Sequence, residues 1–193
     1  MFMLGGIDLN KPITSKEDII KTCQAMVQEN GISSINMRSV ALKCQVSVGA
    51  VYNYFPSKTD LICATIESIW KDIFHMSNQT FIFTDFIECL TWLFESIKKG
   101  SMKYPEFLSK HAVSLASQNK VIGQKMMNHY FQHLKDQLLI VLKNDHHIRE
   151  DAFHENLSET LFVEYIFELF ISSIMNCHYD YQGILEIVKR YLY

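Results

Sequence analysis

Proline stands at only three positions of this 193-residue chain, and glycine occurs only seven times. These residues are the strongest local breaks in regular structure, and sheet proteins need many of them in their turns. The long stretches between them repeat apolar residues at helical spacing, and 48% of all residues are hydrophobic. The sequence therefore predicts an all-α protein with enough apolar surface to bury a core.

Three further features limit the class of protein. The opening segment MFMLGGIDLN lacks the basic and long apolar regions of a secretory signal. The most apolar segment, 161–175, is interrupted by Glu164 and Glu168, which argues against a membrane span. The five cysteines form no C-x-x-C pair, a pattern typical of reduced thiols. We therefore expect a cytoplasmic protein.

The first 60 residues have the pattern of a three-helix unit. Thr14, followed by Glu17, fits the start of a first helix over roughly 15–29. Asn36 and Ser47 are good N-caps for two further short helices. Two such helices separated by a turn of three or four residues indicate a helix-turn-helix.

The third of these helices lies in VSVGAVYNYF, 46–55, which is uncharged yet too polar for a core. Val51 and Phe55 stand one turn apart and are expected to face inward. Small, amide and hydroxyl side chains remain on the other side, where they suit the bases and phosphates of DNA. In the alternative interpretation, the helix packs in a hairpin and its tyrosines face the rest of the protein.

The charge distribution fits a polyanion near this helix. The net charge is −3, but no acidic residue lies between Asn36 and Lys58. That segment contains three basic residues, Arg38, Lys43 and Lys58. An uncharged face bordered by cations is a modest electrostatic footprint for nucleic acid.

Residues 36–62, NMRSVALKCQVSVGAVYNYFPSKTDLI, closely resemble the DNA-binding signature of TetR-family transcriptional regulators. Gln45 departs from the glycine usual in the turn, and Asn36 replaces the usual threonine. The resemblance implies a helix-turn-helix DNA-binding domain over 1–56 and a helical effector-binding and dimerisation domain over 57–193. The matching residues are Val40-Ala41, Val46-Ser47, Gly49, Val51-Tyr52, Tyr54-Phe55, Lys58 and Leu61.

Carried over residue by residue, the resemblance implies ten DNA contacts. The positions are Asn36, Arg38, Ser47, Val48, Gly49, Ala50, Tyr52, Asn53, Tyr54 and Lys58. Apolar and amide side chains suit base edges, and the candidates are Val48, Ala50 and Asn53. Hydroxyl and ammonium groups suit phosphates, and the candidates are Ser47, Tyr52, Tyr54 and Lys58.

The last two predicted helices, roughly 156–178 and 181–192, indicate a partner. The first is apolar on nearly all sides, so it must be covered on more than one. The resemblance implies a homodimer in which the last two helices of each protomer form a four-helix interface. The residues expected there are Leu161, Tyr165, Leu169, Ile184, Ile187, Val188 and Tyr191.

Aromatic, methionine and histidine residues gather in the middle of the chain. The resemblance implies a pocket there for an apolar or aromatic small-molecule effector. The candidates are Trp92, Phe107, His111, Met126, Met127, Tyr130, Phe131 and Phe167. For each one taken alone, packing in the core explains the same pattern.

His129 and His133 stand four residues apart on one predicted helix, a spacing compatible with two metal ligands. No third ligand lies in an identifiable frame, so the sequence favours histidines that face solvent. We expect no metal and no other cofactor.

These observations predict a homodimeric repressor that binds a pseudo-palindromic DNA site and is released by a small molecule. Two alternatives from other classes stay open. In one, the C-terminal helices form an enzyme, although no Ser/His/Asp frame, phosphate loop or paired carboxylate site is evident. In the other, these helices dock a protein partner.

Overall fold

The computed structural model describes residues 14–74, 83–105, 107–108 and 122–193, except for the side chains of 122–127 and 129. Within these ranges the chain is all-α, as predicted, and contains no β-strand. A 3-10 turn, Ile32–Ser34, follows the first helix. The α-helices are α1 Lys16–Asn30, α2 Met37–Lys43, α3 Val48–Tyr54, α4 Lys58–Ile73, α5 Phe86–Lys103, α6 Ile122–Asn144, α7 Glu159–Met175 and α8 Gln182–Leu192.

Two of the predicted N-caps are confirmed. The Asn36 side chain accepts a hydrogen bond from the amide of Ser39 at 2.9 Å, and α2 begins at the next residue. Ser47 Oγ accepts from the amide of Ala50 at 3.1 Å and starts α3. Each cap satisfies one of the backbone N–H groups that a helix start leaves unpaired.

The predicted cap of α1 is wrong by one residue. Ser15, not Thr14, accepts from the amide of Asp18, at 3.0 Å. Ser15 stands directly before α1, at the N-cap position, whereas Thr14 lies one residue earlier and is buried. The Thr14 carbonyl accepts from the Tyr54 hydroxyl at 2.8 Å, which ties the start of α1 to the end of α3.

Helices α1, α2 and α3 share one apolar core with the start of α4. Val51 and Phe55 are buried there, as their spacing predicts. The amide group of Gln24 on α1 donates to the carbonyl of Ser68 on α4 at 3.2 Å. Because α4 also packs on α5 and α6, it connects the N-terminal unit to the rest of the molecule. The division at residues 56 and 57 stays a prediction.

Helices α5 to α8, called the C-terminal unit, pack on one another, with α6 against α5 and α7 and with α8 against α5. Lys135 on α6 donates to Glu164 on α7 at 2.8 Å, so this glutamate faces a neighbouring helix. Among the described helices, none is long and apolar enough to cross a bilayer. The α7 residues in the core are Phe162, Val163, Ile166, Phe167, Phe170 and Ile174.

Asp145, just after α6, carries a fully buried carboxylate. It accepts hydrogen bonds from the amides of Phe86 and His147, both at 2.9 Å, and from the Tyr193 hydroxyl. Burial alone would raise the pKa of Asp145, but these hydrogen bonds together hold it below its usual value. One side chain therefore joins the start of α5, the loop after α6 and the end of α8.

Candidate nucleic-acid interface

The turn between α2 and α3 sets the direction of the third helix. The amide of Gln45 donates to the Leu42 carbonyl at 3.1 Å, and the amide of Val46 donates to the Ala41 carbonyl at 3.0 Å. These bonds hold Gln45 at φ 56°, the left-handed region that favours glycine. The turn therefore does use the conformation that the usual glycine would supply.

Helix α3 lies on the surface and buries only Val51. Tyr52 is 48% exposed and Val48 36% exposed, and Gly49 and Asn53 are also exposed. These residues lie on the outer side, as predicted. The alternative in which both tyrosines face the protein is therefore wrong for Tyr52.

Five polar side chains around this helix have no hydrogen bond or ion pair with any described residue. All five are exposed. Lys43, in contrast, pairs with Glu29 at 3.2 Å. The unpaired group combines two cations, two amides and one hydroxyl, which are the donors that nucleic acid accepts. Its members are Arg38, Gln45, Tyr52, Asn53 and Lys58.

Three predicted contact residues have internal roles as well. The single hydroxyl proton of Tyr54 is donated to the Thr14 carbonyl, so it is not available to a phosphate in this conformation. The Asn36 amide bonds Ser39 on both sides. The Ser47 oxygen caps α3 but keeps its own proton free to donate.

Gly49 is open on its outer side. A β-carbon built on it would meet only Ser47 Oγ, at an ordinary 3.8 Å. The chain itself therefore does not require glycine at this position. A missing side chain here lets another surface approach the α3 backbone closely. Ala50, its neighbour, is half-buried and also small.

The predicted effector residues that the structure describes lie in or beside an aromatic cluster. Trp70 on α4 is its centre, and four rings surround it at centroid distances of 5.5–6.0 Å, namely Phe74, Phe107, Tyr130 and Phe131. Phe167 contacts Phe131, and Trp92 contacts Phe74. His111 lies outside the described residues, as do the side chains of Met126 and Met127.

Trp70 was not among the predicted residues, although its spacing from Ile73 and Phe74 places all three on one helix face. It is 4% exposed. Its indole Nε1 is the one fully buried side-chain nitrogen or oxygen in the described part of the chain without a hydrogen-bond partner. A buried donor left unpaired costs about 1–3 kcal/mol. The centre of the cluster therefore holds an unused donor.

A cavity of about 20 Å³ lies between α5 and α6. A space of this size holds about one water molecule at most. Among the predicted effector residues whose side chains the structure describes, Trp92 alone contacts it. The lining residues are Phe83, Cys89, Trp92, Leu93, Leu134, Gln137, Leu138 and Val141.

The predicted dimer face is partly on the surface. Tyr165, Leu169 and Ile187 are 51%, 45% and 66% exposed. Leu161 and Ile184 are half-buried.

The prediction that Val188 lies in the dimer interface is wrong, because Val188 is 1% exposed and packs in the chain's own core. In α8 the inward side is formed by Leu185, Val188 and Leu192, at spacings of three and four residues. Tyr191 is half-buried, with its hydroxyl bonded to the Ala152 carbonyl.

Metal and thiol chemistry have little support in the described ranges. No three His, Cys, Asp or Glu side chains gather there in a metal-binding group. The side chain of His129 lies outside the description, and that of His133 is exposed. Burial raises the pKa of Cys23 to about 11 and that of Cys89 to about 12, so both thiols are poor nucleophiles.

Comparison with known proteins identifies this region. Residues 15–65 match the family described as bacterial regulatory proteins, tetR family. The chain is similar to the HTH-type transcriptional repressor KstR of Rhodococcus jostii (strain RHA1), with 34% identity over 65 residues. That alignment covers 33% of this chain and 31% of KstR. The chain is also similar to the uncharacterized HTH-type transcriptional regulator YuxN of Bacillus subtilis (strain 168), with 24% identity over 104 residues. That alignment covers 46% of this chain and 36% of YuxN.

The chain thus spans about a third of the length of each relative. The matched segment contains α1, α2, α3 and the first half of α4, which is the unit that carries the unpaired polar face. Residues 15–65 therefore carry a helix-turn-helix domain that is similar to the family described as bacterial regulatory proteins, tetR family.

Proposed function

We propose that this protein is a sequence-specific DNA-binding transcriptional regulator that acts as a homodimeric repressor. The observation that carries the proposal is the exposed side of α3, where amide and hydroxyl groups have no partner within the described residues. Polar groups that are buried or already paired cannot bond to a ligand, whereas the exposed amide and hydroxyl groups of α3 can. The relative KstR is named a transcriptional repressor.

The side chains around α3 divide by chemistry. Asn53 and Val48 are exposed and Ala50 is small, so we assign these three to base edges in the major groove. Exposed Arg38 and Lys58, which have no ion-pair partner in the described ranges, suit phosphates.

The Tyr52 hydroxyl and the proton of Ser47 suit phosphates as well. With only Arg38 and Lys58 assigned to phosphates in each subunit, the salt dependence of binding should be modest. Tyr54, whose hydroxyl proton is used internally, holds α3 against α1 instead of contacting DNA.

A homodimer would present two such helices. The supporting observation is the exposed apolar surface of Tyr165 and Leu169 on α7 and Ile187 on α8, which isolated monomers rarely leave uncovered. Two-fold pairing would set two recognition helices about 34–36 Å apart, the spacing of successive major grooves on one side of DNA. A DNA-binding role also places the protein in the cytoplasm.

We propose that a small molecule regulates this binding through α4. This helix begins at Lys58, close after α3, and carries Trp70 into the aromatic cluster. An aromatic molecule with a hydrogen-bond acceptor would suit the unpaired indole N–H. A ligand that fully reverses a 99:1 preference between two α4 positions needs about 5.5 kcal/mol of differential affinity.

The same exposed apolar surface supports the second candidate, in which α7 and α8 dock a different protein. Measurement of DNA binding with and without aromatic ligands, together with the oligomeric state in solution, separates the two. Ligand-sensitive release from a dimer supports the repressor. A monomer that leaves DNA only with a protein partner supports the second candidate.

Selection of bound sequences from a random duplex pool tests DNA recognition directly. We expect enrichment of a pseudo-palindrome, and Asn53→Ala should relax the preference at one base position per half-site. Asn144→Ala, which removes an exposed amide on α6, is the matched control and should leave the selected sequence unchanged. The absence of any enriched sequence would contradict the proposed function.

A further inference from the structure

Gln45 has a backbone conformation that its residue type disfavours. Its φ is 56°, where the β-carbon crowds the neighbouring carbonyl, whereas glycine has no such conflict. The backbone bonds to Leu42 and from Val46 to Ala41 fix this conformation for whichever residue stands there. Gln45 therefore lowers stability relative to glycine.

The rest of the fold gives no compensation for this strain. The Gln45 side chain is exposed and makes no hydrogen bond to any described residue. Strained residues that the fold does not need tend to occur where a ligand is bound. The amide group of Gln45 is therefore available to a partner outside the chain.

We propose that Gln45 is an additional DNA contact, whose side-chain amide donates to a phosphate oxygen beside the recognition helix. The inference rests on the proposed function. Gln45 lies two residues before the Ser47 cap of α3, and the N-terminal end of a recognition helix is the part that enters the groove. Its side chain is exposed and so is not part of the α2–α3 core.

A phosphate contact by an uncharged amide has a defined signature. It strengthens binding to every sequence, it does not change base preference, and it adds nothing to the salt dependence because no charge is neutralised. A base contact by Gln45 would instead change the selected sequence, most simply at an adenine.

The test uses the full chain and a fluorescein-labelled duplex recovered by the wild type from a random pool. We expect Gln45→Gly to raise the melting temperature and to weaken DNA binding by roughly threefold to tenfold. Gln45→Ala should weaken binding as much without raising the melting temperature, since alanine keeps the β-carbon. The salt slope of all three proteins should be the same.

Cys177→Gly is the matched control. Cys177 is the second residue with positive φ outside glycine in the described chain, φ 52°, and lies exposed after α7. This variant should also raise the melting temperature, but it should leave DNA affinity unchanged.

Each other outcome decides a different point. If the wild type binds DNA and Gln45→Gly binds it equally well, the inference is overturned while the proposed function stands. Weaker binding by a Gln45→Gly variant that is also less stable overturns the inference, because a damaged turn would then explain the loss. If the wild type selects no duplex at all, the proposed function fails.

Discussion

Several polar side chains on the surface of the helix-turn-helix lack partners within the described chain, whereas a polar side chain in the interior of the C-terminal unit is fully paired. Around α3, the side chains of Tyr52 and Asn53 are exposed and bond to none of the described residues. In the C-terminal unit, Asp145 is fully buried and accepts from three parts of the chain. Internal pairing fixes a shape, while unpaired donors on a surface are available to a partner. The contrast separates the part that holds the fold from the part that we propose binds DNA.

Two glycines show the same contrast in steric terms. A β-carbon on Gly100 of α5 would stand 2.8 Å from Ile73 Cγ1 of α4, which is shorter than a van der Waals contact between two carbon atoms. A β-carbon on Gly49 would meet one atom at 3.8 Å. Gly100 is small because α4 and α5 touch. Gly49 is small although the chain leaves room for a side chain, which fits the proposed close approach of DNA to α3.

The largest effect is expected at Asp145. Asp145→Ala should lower the free energy of unfolding by about 3 kcal/mol at pH 7, because it leaves the buried amide of Phe86 and the hydroxyl of Tyr193 without their acceptor. Urea unfolding measures the change. Asp151→Ala is the control, because its side chain is 83% exposed and such surface ion pairs contribute about 0–1 kcal/mol.

The Asp145 effect should also depend on pH. Since the folded pKa lies below the usual value, the carboxylate stabilises the protein fully above about pH 4, and the contribution is lost as the pH falls through the folded pKa. The difference between wild type and Asp145→Ala should therefore narrow in acid. A difference that stays constant down to acid unfolding would contradict this assignment.

A smaller loss is expected at Gly100. Gly100→Ala should reduce stability by about 1–3 kcal/mol, because the added methyl group forces Ile73 and α4 away from α5. Gly183→Ala on α8, where nothing lies within 4 Å, should be neutral or slightly stabilising. Thermal unfolding of both variants makes the comparison, and equal melting temperatures would show that the α4–α5 contact adjusts freely.

The smallest change in stability, and the sharpest test of the contrast, is expected at Gly49. Gly49→Ala should raise the free energy of unfolding by up to about 1 kcal/mol, the helix preference of alanine over glycine. Binding to the selected duplex should nevertheless weaken, because a methyl group separates α3 from the DNA. A stabilised variant with unchanged affinity would show that α3 does not approach DNA closely at this position.

The short-range parts of the fold were predictable from the sequence. The caps at Asn36 and Ser47 follow from residue type and position, and the inward side of α3 follows from the spacing of Val51 and Phe55. The cap of α1 was misplaced because Thr14 and Ser15 have equivalent side chains and only the geometry of the backbone separates them.

Contacts between distant segments were not predictable in the same way. Spacing along α8 places Val188 on an apolar side but does not say whether another helix or another subunit covers it. The bond from Tyr54 to Thr14 joins residues 40 positions apart. The unpaired indole of Trp70 is visible only once its neighbours are in place.

The sequence by itself determined an all-α chain, the helix-turn-helix and its uncharged outer face, because helix periodicity, caps and motif spacing are local properties. The tertiary structure decided which polar groups are left free. It gave internal partners to the Tyr54 hydroxyl proton and the Asp145 carboxylate. It left the side-chain amides of Gln45 and Asn53 without a partner in the described chain. Whether a side chain can bind another molecule depends on what the fold has already placed beside it, and no local pattern records that.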